Sequence, residues 1–404
     1  MSKKSSPYQK VISRLSENTN TMKVYKIAIK RYEKFHGMTM DELICEALEE
    51  QSNRVPPHEL SVIDRLEDFQ QELIQQGLVY GTIREYFAKI KSIYHKCRVS
   101  IPYIEPLNSK QIKRREYISY EDVLTKEELK MSIEYMSPIL KAKVLAMAQG
   151  GLSHKECESL TTRQFIDDTY RYHQCDDDID ALQWLADIDH PIIWVAQLIR
   201  VKTQKPYFAL IGAEAVNSIA QSKLYEINLP KNHGKPNPKL FNMSYGHTQR
   251  TLKDINNKLR LGNVADESKL RCHNLRRFHA TYIKGSVLTY EENSLLSNNE
   301  IDEMQGRGKT ATQDTYIKSN PVRQKLLYAK VMNNLSLWNK YNYEITGDDI
   351  ILSVQDPKKL EKEVRILTEK LKKKEEASKK VKTLKDELGE DVFKELIGEI
   401  LNAS

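Results

Sequence analysis

The chain of 404 residues has no apolar run of 18 residues, and its first ten residues are polar, so neither a membrane span nor a secretory leader is expected. Its five cysteines (Cys45, Cys97, Cys157, Cys175, Cys272) are odd in number and widely scattered. That pattern argues against a disulfide framework and for a reducing, intracellular setting. His154, Cys157, His173 and Cys175 are the nearest approach to a metal-ligand cluster. Only one residue separates the second pair, too few for a zinc knuckle, and no metal is expected. Net charge is +7, which permits a polyanionic partner without requiring one. Hydrophobic residues make up 40% of the chain, enough to bury substantial cores despite 29% charged residues.

The length exceeds one ordinary domain, and the pattern suggests two folded units with appendages. Residues 1–110 read as a small helical domain. Tyr25, Ile29, Tyr32 and Phe35 recur at helical spacing after Thr21 until Gly37. Val62, Leu66, Phe69 and Leu73 mark a second helix ending near Gly77, and Ile83, Phe87, Ile90 and Tyr94 a third beginning near Thr82. Lysines and arginines such as Lys30, Arg84 and Lys89 fill the opposite faces, which suits either solvent or a DNA backbone.

A basic linker, 111–117, carries Lys113, Arg114 and Arg115, and a larger, mostly helical unit follows over 118–340. Thr125 and Glu128 form a capping box that opens a helix through Met136. Leu140–Gly150 reads as another helix. The runs Pro191–Arg200 and Pro206–Ile211 flank a Lys-Thr-Gln-Lys turn and predict a β-hairpin. Between 167 and 189 lie eight aspartates and a single arginine, a stretch that would repel DNA and face a partner instead. Residues 341–404 read as a charged helical tail, with Leu360, Val364, Leu367 and Leu371 spaced for a short coiled coil.

Two segments stand out chemically: Arg271–Lys284 (RCHNLRRFHATYIK) and Gly306–Lys318 (GRGKTATQDTYIK). On a helix, His273 and Arg276 share a face and can reach one phosphate. Such a pair is common on protein surfaces, and Tyr316 is one of 21 tyrosines, so the residues alone do not fix a role.

His273-Asn-Leu-Arg276, followed by Ala280-Thr281, resembles the His-x-x-Arg box of tyrosine recombinases, and Met304–Tyr316 is similar to that family's nucleophile segment without a gap. Leu124–Glu128 resembles the family's catalytic-domain opening. Gly150-Gly151-Leu152 through Glu156 resembles its Gly-Leu-Arg-x-x-Glu box, and Ile199–Thr203 the strand carrying its lysine. The resemblance spans about 118–330 closely and 20–100 in general plan. It implies a mainly α fold with a small β-sheet, a helical SAM-like core-binding domain and a recombinase catalytic domain.

The implied activity is site-specific recombination or integration of double-stranded DNA, without cofactor, by a homo-oligomer (a tetramer on DNA). Tyr316 would form a 3′-phosphotyrosyl link. Arg276, His273 and Arg307 would stabilise the transition state, and Lys202, with Lys205 as fallback, would protonate the leaving 5′-oxygen. Arg277 and Lys89, with Lys113, Arg114 and Arg115, would contact DNA. The expected setting is the nucleoid or a mobile element, and motif spacing is similar to that of archaeal integrases.

Three departures matter. Ser153 falls where the family has its first arginine, Arg307 falls where histidine is usual, and residues 290–299 look like an insert. Near the start of a helix, Ser153 would still offer its hydroxyl and backbone N–H, and Arg163 is the neighbouring arginine that would compensate. Two other readings stay open: a DNA-binding protein on this fold with weakened catalysis, and a type IB topoisomerase-like enzyme. Covalent trapping separates the first from the enzymes, and oligomeric state on DNA separates the second from a recombinase.

Overall fold

A computed structural model describes residues 7–14, 19–108, 112, 119–201, 204–285, 296–307, 320–346 and 349–355. The chain divides into two compact units, Met1–Tyr117 and Ile118–Ser404. Among the described residues no helix is long and apolar enough to cross a membrane.

The first unit holds helices α1 (Pro7–Arg14), α2 (Thr19–His36), α3 (Met40–Ser52), α4 (Ser61–Gln75) and α5 (Tyr80–Lys96). The apolar stripes of α2, α4 and α5 bury Tyr32, Phe69 and Tyr94 against one another. The Tyr32 and Tyr94 hydroxyls meet at 3.2 Å, satisfying two phenols inside an otherwise apolar core. Helix α3 opens with a capping box, Thr39 against Glu42. Ile112, inside the basic linker, is buried in this core. The linker is therefore anchored at that residue, because an isoleucine among lysines and arginines still gains by leaving water.

The second unit is mainly helical with small two-stranded sheets, the expected class. Its elements begin with α6 (Lys126–Ile133), α7 (Pro138–Gly150), α8 (His154–Ser159), α9 (Thr162–His173) and α10 (Asp178–Ala186). The hairpin β1 (Trp194–Ile199) and β2 (Pro206–Ile211) follows, then α11 (Ala213–Ile227) and α12 (Tyr245–Lys258). Next come the short pair β3 (Asn263–Val264) and β4 (Glu267–Ser268), α13 (Cys272–Lys284), α14 (Asn298–Met304) and α15 (Pro321–Val331). A second hairpin closes the unit, β5 (Tyr341–Thr346) and β6 (Asp349–Val354). Helix α7 is buried on nearly every side, which is why its Ala-, Leu- and Met-rich sequence shows little amphipathic rhythm.

Hairpin β1–β2 is antiparallel, with Trp194 opposite Ile211 and Ile199 opposite Pro206. Trp194, Ala196 and Leu198 alternate inward, while Gln197 and Ile199 face water.

The charged helical tail expected from 341 onward is corrected over its first residues. Tyr341–Val354 is a hairpin, and Tyr341, Ile350 and Leu352 are buried in the core of the second unit. Period-two alternation and β-branched residues favour strand here, and burial of one face fixes it. The coiled-coil positions Leu360–Leu371 lie outside the described residues.

Candidate active site

Helix α7 ends at Gly151, whose φ of 63° lies in the left-handed region. A Cβ there would stand 2.7 Å from His279 Nδ1 on α13, so a side chain is excluded twice over, by conformation and by space. The chain then turns into α8 at Ser153. The Ser153 hydroxyl accepts from the Glu156 backbone N–H at 3.4 Å, and Glu156 Oε2 accepts from the Ser153 N–H at 2.6 Å. The Ser153 N–H that was expected to face a phosphate is thus taken by Glu156, while the hydroxyl is held as an acceptor in the capping box and keeps its own O–H to donate.

Helix α13 carries His273 and Arg276. Arg276 is buried, and its Nη1 lies 3.1 Å from Glu156 Oε2, while Nη2 donates to the Gln305 carbonyl. Burial lowers the guanidinium pKa and Glu156 raises it. An arginine still keeps its proton in such a place, so Arg276 is a fixed positive charge.

His273 is exposed. It lines a cavity of about 590 Å³ together with Ser153, Arg276, Arg250 and Lys253. Its pKa is lowered below the ordinary 6.5, by partial burial first and then by Arg277, Arg271, Arg276 and Arg307. Without a nearby phosphate it is therefore a neutral imidazole at neutral pH, able to donate from one nitrogen and accept at the other.

Gln305 ties the second motif to the first. Its buried side-chain amide donates to the Arg276 carbonyl at 3.1 Å and to His279 Nδ1 at 2.8 Å. His279 is held neutral, its pKa lowered to about 3 by full burial and then by Arg276 and Arg307. Gly306 follows with φ of 60°, and a Cβ on it would lie 2.7 Å from the Tyr207 ring. The stretch that leads toward Tyr316 thus begins pressed against β2 and bonded to Arg276. Arg307 is exposed and meets Asp302 at 3.2 Å. Arg200, just past β1, donates to the Gln305 carbonyl at 2.7 Å.

Tyr316, Lys202, Lys113, Arg114 and Arg115 lie outside the described residues. Lys205 is exposed at the foot of the β1–β2 hairpin, where its carbonyl accepts from Arg200. Arg277 donates to the Asn274 side chain at 3.0 Å, and the Lys89 ammonium sits 5.1 Å from the centre of the Tyr25 ring. Arg163 is gripped by Asp167 and Asp178 on the exposed side of α9. Several aspartates expected to face a partner are thus engaged internally: Asp167 and Asp178 on Arg163, Asp168 on the Trp194 indole at 3.0 Å, and Asp177 as the cap of α10. Of the four cysteine and histidine candidates, His173 and Cys175 bond locally, and His154 packs at a tilt against the Tyr245 ring with its Nε2 2.9 Å from Glu158.

Sequence reasoning did not assign Arg200, Gln305 or His279 to the site. Gln305 had a signal, its position directly before Gly306 in the matched segment, and so had Arg200, which lies within Ile199–Thr203, the run that carries Lys202.

No protein-family model matches the sequence, and neither does any curated protein. Among solved structures, the XerA recombinase aligns over 79% of this chain and 94% of its own, at 16% identity and a TM-score of 0.33. The integrase of transposon Tn1549, in complex with transposon right-end DNA, aligns over 78% of this chain and 94% of its own, at 13% identity and a TM-score of 0.44. The XerH site-specific recombinase bound to its difH substrate aligns over 63% of this chain and 67% of its own, at 15% identity and a TM-score of 0.38. It is to recombinases and integrases that this chain is similar. Superpositions this loose leave function to be read from the chain's own residues.

Proposed function

We propose that the protein cuts and rejoins double-stranded DNA through Tyr316, as a site-specific recombinase or integrase acting as an oligomer. The Tyr316 hydroxyl oxygen attacks phosphorus, the bond to the 5′-oxygen breaks, and a 3′-phosphotyrosyl ester forms. Lys202 gives the departing 5′-oxygen its proton, and a 5′-hydroxyl attacking the ester reverses the step. Arg276 supplies a preorganised charge to the phosphoryl oxygens, and His273 at the cavity edge takes the phenol proton or donates to the same oxygens.

One observation carries the reading. Arg276, charged, buried and backed by Glu156, is bonded to Gln305, directly before the Gly306–Tyr316 segment and 29 positions along the chain. That bond fixes the guanidinium beside the segment that leads to Tyr316, where a phosphate-binding charge is needed.

The test starts from a pool of randomised duplexes, each carrying a nick that prevents religation. Protein–DNA adducts that survive detergent are isolated and sequenced, which yields both a substrate and its cleaved bond. Tyr316→Phe removes only the hydroxyl, so it should keep duplex affinity and lose the adduct. An adduct persisting in Tyr316→Phe shifts the nucleophile elsewhere. If the wild-type protein forms no adduct with any duplex yet binds DNA, the second reading stands: a DNA-binding protein on this fold. Serine at 153, where the family has its first arginine, favours that alternative, since a hydroxyl carries no charge.

A further inference from the structure

Arg200 is held at the base of the β1–β2 hairpin by two backbone bonds. Its N–H donates to the Lys205 carbonyl at 2.9 Å, and its own carbonyl accepts from the Gln204 N–H at 2.7 Å. From this fixed point the side chain reaches the Gln305 carbonyl, 105 residues away in sequence. Arg276 donates to that same oxygen.

Two guanidiniums therefore share one neutral acceptor, and Arg200 is among the charges that depress the pKa of Arg276. Arg307 adds to the same positive field, while Glu156 is the carboxylate that answers Arg276. A single carbonyl does not offset the repulsion between two guanidiniums, whereas a phosphate bound between them would. Arginine has five N–H donors, so Arg200 can keep Gln305 and still bond a phosphoryl oxygen. Meanwhile Ser153 uses its N–H on Glu156 and its hydroxyl accepts there, so that only a neutral O–H can donate from it, and Arg163 is engaged by two aspartates.

We propose that Arg200 is the second guanidinium on the scissile phosphate, filling the role that Ser153 cannot take. The proposal rests on the strand-exchange reading above. In the reaction Arg200 would bond a non-bridging oxygen as negative charge gathers on the pentacoordinate phosphorus.

The experiment uses the full-length protein and the duplex selected by adduct formation, made with either a normal phosphate or a neutral methylphosphonate at the cleaved bond. On the phosphate, Arg200→Ala should slow adduct formation by roughly two to three orders of magnitude, the effect of one strong donor. Duplex affinity should fall less than about tenfold, since many other contacts carry binding. On the methylphosphonate, which lacks the charge that Arg200 neutralises, variant and wild type should react at similar rates. Arg200→Gln retains a donor for Gln305 without the charge, and it decides the matter if the alanine variant melts early. Adduct formation by Arg200→Gln at the wild-type rate on the phosphate would overturn the proposal. So would an equal defect on both substrates, which makes Arg200 a positioning residue for Gln305. Absence of adduct in the wild-type protein defeats the strand-exchange reading itself, a distinct result.

Discussion

Glu156 Oε2 and Arg276 Nη1 lie 3.1 Å apart, both buried, and join α8 to α13 across 120 residues of sequence. A pair of this kind adds little net stability when whole, because both ions were taken from water, but it is costly to break. Glu156→Ala should destabilise the second unit by about 3–5 kcal/mol, through the uncompensated guanidinium and the lost capping box. Glu156→Gln keeps an acceptor and should lose less. Urea unfolding followed by tryptophan fluorescence measures both, and equal stability of Glu156→Ala and wild type would contradict the assignment.

His279 gives the fold a defined acid sensitivity. Its folded pKa of about 3 lies below the ordinary 6.5, so between those values the unfolded chain binds the proton more readily. Stability from the neutral ring is therefore present above about pH 6.5 and is lost as pH falls toward 3. The slope from this one group should approach about 1.4 kcal/mol per pH unit. Melting temperatures from pH 7 to 4 should drop more steeply for the wild type than for His279→Gln. Parallel curves would mean the ring is not buried neutral.

Gly151→Ala should be harmful for two separable reasons. Left-handed backbone costs an alanine about 1–2 kcal/mol, and a Cβ 2.7 Å from His279 Nδ1 forces the ring to move. Gly262→Ala, at φ of 85° with nothing within 4 Å, carries only the first cost. The difference between the two variants in denaturant unfolding should therefore be about 1–3 kcal/mol, the usual penalty for overpacking. Equal losses would show that the contact yields freely.

The second hairpin belongs to the second unit rather than to a tail. A fragment ending at residue 340 loses buried Tyr341, Ile350 and Leu352, and strips Lys325 and Arg171 of their shared partner Asp349. Each fully buried apolar side chain of this size contributes about 1.5–3 kcal/mol. Residues 118–355 should unfold cooperatively, whereas 118–340 should be far weaker or unfolded, as circular dichroism during urea titration would show. Equal midpoints would return the hairpin to the status of an appendage.

Much of this molecule is written locally. Helices α2, α4 and α5 follow from apolar spacing, α6 from Thr125 and Glu128, and hairpin β1–β2 from apolar, β-prone runs around a four-residue turn. These signals work because backbone hydrogen bonds and side-chain periodicity act over a few residues. The spacing of His273 and Arg276 likewise placed both on the wall of one cavity. Helix α3 carries the same local signature, a capping box at Thr39 and Glu42 with Met40, Leu43, Ile44 and Ala47 at helical spacing.

Tertiary structure alone decided which charges meet over long stretches of sequence. Sequence proximity offered Arg163 as the arginine to stand in for Ser153, but the i,i+4 spacing on α9 gives it Asp167, and the packing of α10 adds Asp178. Arg200 meets Gln305 across 105 residues, and Arg276 meets Glu156 across 120. A guanidinium has the same local signature on any surface, and its partner is chosen by how buried helices and a hairpin pack. Side-chain reach is short, and desolvation penalises every unpaired ion, so packing geometry fixes these pairs and local sequence does not.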